Sequence, residues 1–190
     1  ALIANYQFSS KARLNTKLFA VIGDRSSVGF MQSITTKDSI NAATGEYNPR
    51  TVQVDHYRNY GLESRFLSDY DLAGMVNTFS GGIRLYTGST HRKADGTGTT
   101  GSNYTTELTK DYQRDIDFGS QNAAVFVENI FRFSDKFLVV PGIRYEWLEG
   151  SASGINGYEV NGDPKRFQDI SRSRSFLLAG VGAEFHPTSN

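Results

Sequence analysis

The feature that most constrains this chain is a strict alternation of very short and very long connections between β-patterned segments. Strands are predicted over residues 1–9, 14–31, 55–67, 72–90, 112–133, 137–150 and 172–186. Ser9-Ser10-Lys11-Ala12-Arg13, Ser68-Asp69-Tyr70-Asp71 and Ser134-Asp135-Lys136 are short polar turns. Between them lie 32–54, 91–111 and 151–171, each of roughly twenty residues, longer than the 12–15 that compact soluble domains tolerate. Tight turns at one end of a sheet and long loops at the other are the plan of a transmembrane β-barrel.

Within the strands, residues alternate with period two. Phe137, Val139, Ile143, Tyr145 and Trp147 share one face, against Gly142, Arg144 and Glu146 on the other. Leu177, Ala179, Val181, Ala183 and Phe185 oppose Gly180, Gly182 and Glu184, and Phe79, Gly81, Ile83 and Leu85 oppose Ser80, Gly82, Arg84 and Tyr86. An apolar set against lipid and a polar set against a lumen would produce this pattern. Tyr145 and Trp147 fall toward the loop end, where an aromatic girdle belongs. Several segments exceed the 3–10 residues usual for globular strands. Pro141 conflicts with a strand interior, because it cannot donate to a ladder, and asks for a bulge or an early-strand position.

Composition agrees with this plan: 13 Phe, 10 Tyr and 19 Gly stand against 4 Pro and 2 Met. No run of about 18 apolar residues offers a membrane helix. Charge balances at 20 basic and 20 acidic residues, which gives no nucleic-acid footprint. With no cysteine, disulfides and thiolate metal sites are excluded. An odd set of strands cannot close a usual bacterial barrel, and His186-Pro187-Thr188-Ser189-Asn190 reads as the start of another turn. The expectation is therefore an all-β, partial barrel domain over 1–190, continued on both sides.

Three motifs carry a resemblance: Asn122-Ala-Ala-Val-Phe-Val-Glu-Asn-Ile-Phe131 with the turn Ser134-Asp135-Lys136; Pro141-Gly-Ile-Arg-Tyr-Glu146; and Tyr60-Gly-Leu-Glu-Ser-Arg65 followed by Leu72-Ala-Gly74. In this order they resemble the barrel strands of TonB-dependent receptors, over 55–190 by motif and 1–54 by strand pattern alone. Within that family the chain looks most like the ferric-citrate-receptor branch common in Bacteroidetes. The resemblance implies a large barrel of about 22 strands with an N-terminal plug, absent from this chain. It also implies a place in the outer membrane among lipid and lipopolysaccharide, and import of a scarce ligand with energy delivered by TonB through the plug.

No catalytic motif is present. His56, His91 and His186 are scattered without an H-E-x-x-H pair, and Gly23-Asp-Arg-Ser-Ser-Val-Gly29 lacks the Lys and hydroxyl of a phosphate loop. Asp69-Tyr-Asp71-Leu-Ala-Gly74 opens like a calcium loop, but Ser80 stands where a bidentate carboxylate is needed. The chain thus reads as a non-enzyme without cofactor or metal. A ferric chelate is anionic and calls for cationic donors in the long loops, where Arg50, His91, Arg92, Lys93, Lys165 and Arg166 are candidates. Arg84, Glu128, Arg144, Glu146 and Glu184 read as lumen-facing charges, in a cross-strand ladder or against a plug. Import of a glycan or cobalamin, a non-transporting surface barrel and a soluble β-sandwich binding module are the alternatives.

Overall fold

The computed structural model describes residues 1–100, 104–167 and 169–187, so parts of two long connections and of the final turn lie outside it. The described residues form one antiparallel sheet without helices. Its strands are β1 (Leu2–Ser9), β2 (Ala12–Gly29), β3 (Thr51–Leu72), β4 (Met75–Gly98), β5 (Leu108–Lys110), β6 (Arg114–Ser134), β7 (Phe137–Tyr158), β8 (Pro164–Arg166) and β9 (Ile170–Phe185). Each long strand pairs with the next in sequence, giving an up-and-down meander. The two three-residue strands extend it locally, β5 on β4 and β8 on β7.

The long strands match those expected, but their outer ends run further. β3 starts at Thr51, β4 continues to Gly98 and β7 to Tyr158. Apolar alternation fades before these points, yet ladder hydrogen bonds do not require it. His91, Arg92 and Lys93 therefore lie within β4 and not in a loop. The turn expected at 68–71 is displaced as well. Asp69 pairs with Thr78, and the chain reverses at Ala73 and Gly74, with φ of 53° and 79°. Two consecutive left-handed residues make the two-residue turn whose twist suits a hairpin. Pro141 sits where the β6–β7 ladder omits two pairs, between Glu128–Gly142 and Phe131–Val139, without a change of register, while its pairing to Val181 of β9 holds.

Register lines up rows across the sheet. One row runs Leu2, Leu18, Leu62, Leu85, Ala123, Trp147; another runs Thr16, Ser64, Ile83, Val125, Tyr145, Leu177. Leu85, Ile83, Val125 and Leu177 are exposed, so this apolar face has no protein against it. The alternate face carries most of the buried residues, including Asp55, Thr78, Ser80, Ala94, Ile116, Ala124 and Phe126. Curvature crowds side chains on the inside of a bend, which marks this face as the concave one. Arg84, Glu128, Arg144, Glu146 and Glu184 all belong to it by strand parity.

On the concave face, aromatic rings lie over glycines. Phe19 occupies the space where Gly61 would carry a Cβ, and Phe126 lies over Gly82. On the convex face the apolar band ends near Trp147 and Tyr60. Beyond them come Arg58 and Ser89, then the row Asp24, His56, His91, Asp117.

Candidate functional site

The strands project past the apolar band, and the concave side of that projection holds a cluster of charge that joins three strands. Asp55 of β3 pairs with Arg25 of β2 on one side and Arg92 of β4 on the other. Its carboxylate is 0% exposed, while the side chains of Arg25 and Arg92 remain 53% and 40% exposed. Arg92 Nε donates to Oδ1 at 2.7 Å, and Arg25 NH2 meets Oδ2 at 2.7 Å. Tyr57 adds its hydroxyl to Oδ2 at 3.1 Å. Phe118 lies beneath the Arg92 guanidinium, 5.9 Å from its ring centre.

Burial pushes the Asp55 carboxyl up, but the Arg92 and Tyr57 hydrogen bonds and the charges of Arg92 and Arg25 outweigh it and hold the group below its ordinary value. The same contact to Asp55 raises Arg92. A carboxyl whose pKa is lowered on folding stabilises the fold above its unfolded pKa of about 3.9. That stabilisation is lost as pH falls through the lower, folded value. Protection of the amides in 51–58 and 88–94 against exchange, relative to the intrinsic rate at each pH, is therefore expected to hold from pH 8 to pH 5. It should fall below about pH 4, and an Asp55→Asn variant should show no such acid transition.

The remaining candidates are dispersed. Arg50, before β3, is buried at 7% exposure, bonds Asp38 at 2.8 Å and lies over the rings of Tyr47 and Phe30. It anchors the first long loop to the end of β4, where Gly98 donates to its carbonyl. His91 and Lys93 point to the convex side, opposite to Arg92. His91 Nδ1 lies 2.7 Å from Asp117, and its ring stacks on His56 with centroids 6.2 Å apart. Lys165 lies 3.5 Å from Glu159, and Arg166 sits in the short β8. Of the loop candidates, Arg92 alone joins the concave cluster. Arg25 and Asp55 were not expected from sequence.

Lower on the concave wall the charges interact along strands more than across them. Arg144 Nε donates to Glu146 in its own strand at 2.7 Å, and Asn122 completes that carboxylate at 2.9 Å. Arg84 reaches across to Glu63 only at 3.9 Å. Arg65 and Arg144 flank the Phe126 ring from either side, at 5.2 and 5.8 Å. Glu184 pairs with His186 at 3.3 Å. Among the described residues no group of three or more His, Cys, Asp or Glu is placed to hold a metal ion.

A family model described as TonB dependent receptor-like, beta-barrel, matches residues 2–190. The chain belongs to this family. It is a family of transport receptors, whose barrels include outer-membrane proteins of Gram-negative bacteria. No curated protein matches the chain closely enough to add to this. Among solved structures, the ferric citrate transporter FecA in its unliganded form superposes with a TM-score of 0.71 at 18% identity, over 97% of this chain and 24% of that one. The ferric-catecholate import receptor Fiu of E. coli K12 gives 0.65 at 14% identity, covering 98% and 32%. The siderophore receptor PiuA of Acinetobacter baumannii gives 0.66 at 12%, covering 97% and 29%. The chain spans a quarter to a third of these proteins, and at such identities the likeness is one of fold. Membership of a barrel family sets aside the soluble sandwich.

Proposed function

We propose that the protein imports a ferric chelate, a siderophore or ferric citrate, across the outer membrane with energy from TonB. Residues 1–190 supply barrel wall and the inner lining of the extracellular mouth. The observation that carries this reading is the family match along 2–190, joined to a sheet whose convex face carries a band of exposed apolar side chains. In this reading the convex face meets lipid, and the polar row Asp24, His56, His91, Asp117 meets lipopolysaccharide headgroups. The concave face lines the lumen. Contact with TonB is made through a plug domain formed by another part of the protein. The sequence motifs favour the ferric-citrate-receptor-like branch of the Bacteroidetes type, and the neighbours named for ferric citrate and ferric catecholate support an anionic iron cargo.

The test is uptake of radioactive iron supplied as ferric citrate. The full-length protein would be expressed in a host stripped of its own ferric-chelate receptors. Uptake that appears with the protein and vanishes on deletion of the host TonB supports import. Uptake indifferent to TonB, or none with either ferric citrate or a ferric catecholate, overturns it.

A further inference from the structure

We propose that Arg25 and Arg92, bridged by Asp55, form an oxyanion site on the concave face that takes the peripheral carboxylates of an anionic ferric chelate. This rests on the import reading and names the group that would recognise the cargo. One arginine suffices to neutralise Asp55. The second leaves one positive charge over, and arginine does not lose its proton. The flanking concave positions Gly23, Tyr57, Thr90 and Phe118, with Ser27 and Gln53 beyond, hold no acid to take up that charge. The geometry is also polarised. The carboxylate is wholly buried and both its oxygens are engaged, while the two guanidinia stay about half exposed. Arg92 spends its Nε–H on Asp55 and rests on Phe118, so its planar fork is held in place with further N–H groups to offer.

A strut between three strands is the plain alternative, and it is poorly served here. The β2–β3 ladder already runs unbroken past this row, and the β3–β4 ladder is continuous from Val54–Lys93 down to its turn, shifting register only further out, between Val54 and Val52. A strut also has no use for surplus charge. Asp55 is on this account a positioning residue, whose removal frees the arginines to move.

The experiment measures ferric citrate binding to the full-length protein in detergent by quenching of intrinsic fluorescence. Arg25→Gln and Arg92→Gln are each expected to weaken binding about tenfold, the loss of a charge-assisted contact, and the double variant more. Arg92→Lys should fail to restore affinity, because the charge returns without the fork. Asp55→Asn decides between recognition by placed groups and by bulk charge: it raises the net positive charge, yet affinity should fall. Arg58→Gln, a convex-face charge in the same segment, should bind as wild type. Unchanged affinity in the double arginine variant, an equal loss in Arg58→Gln, or tighter binding in Asp55→Asn would overturn the site while leaving import standing. Absence of ferric citrate and ferric catecholate binding by the wild-type protein would overturn the import reading and the site with it.

Discussion

An Ile83→Arg substitution in the full-length protein is expected to lower its folding stability in lipid vesicles by about 2–4 kcal/mol. Ile83 is exposed at 43% and lies in a convex row with Val125, Tyr145 and Leu177, well inside the apolar band. If that band faces hydrocarbon, the guanidinium has no water and no partner there. A matched His56→Arg change, on the convex row past Tyr60, should cost no more than about 1 kcal/mol, because headgroups and water solvate it. Denaturant unfolding in vesicles reads the difference. Equal costs at the two positions would mean that the band and the polar row share one environment, and the lipid assignment of the convex face would fall.

The second large effect is expected on the concave side. A Cβ at Gly82 would collide with the Ser64 carbonyl oxygen and approach Phe126 Cζ to 2.6 Å. The aromatic ring could swing aside, but the Ser64 carbonyl belongs to the backbone of β3, locked by the Ser64–Ile83 and Arg65–Gly82 pairs. Gly82→Val should therefore destabilise by about 1–3 kcal/mol through overpacking. Gly180, with nothing within 4 Å of its Cβ position, should accept Ala with little change. Thermal loss of the folded band on gels ranks the two variants. A Gly82→Val protein as stable as wild type would show that the ladder yields at this point.

How much of this was legible in the sequence depends on what fixes each position. Side-chain faces were readable because period two is a local property, and the apolar and polar sets of β4, β7 and β9 fall as expected. The Asp55–Arg92 pair was within reach too. Counting back equally from Ala73-Gly74 brings these residues opposite each other, but the turn was placed at 68–71, where polarity is high and no left-handed residue is required. Arg25 opposite Asp55 was out of reach. A loop from 30 to 50 separates their strands, and a loop of that length sets no register. The outer strand ends were missed for a related reason. Past the apolar band nothing alternates, and the ladder continues on backbone hydrogen bonds that sequence pattern does not display.

The projection of β3 and β4 beyond the band changes what a visitor to the mouth must spend. Residues that a sequence reading assigns to loose loops are instead fixed when the chain folds, and ordering a backbone costs about 1–2 kcal/mol per residue. At Arg92 that entropy has already been surrendered before any chelate arrives. On the import reading, capture there should be quick and shape-selective, with little calorimetric sign of coupled ordering.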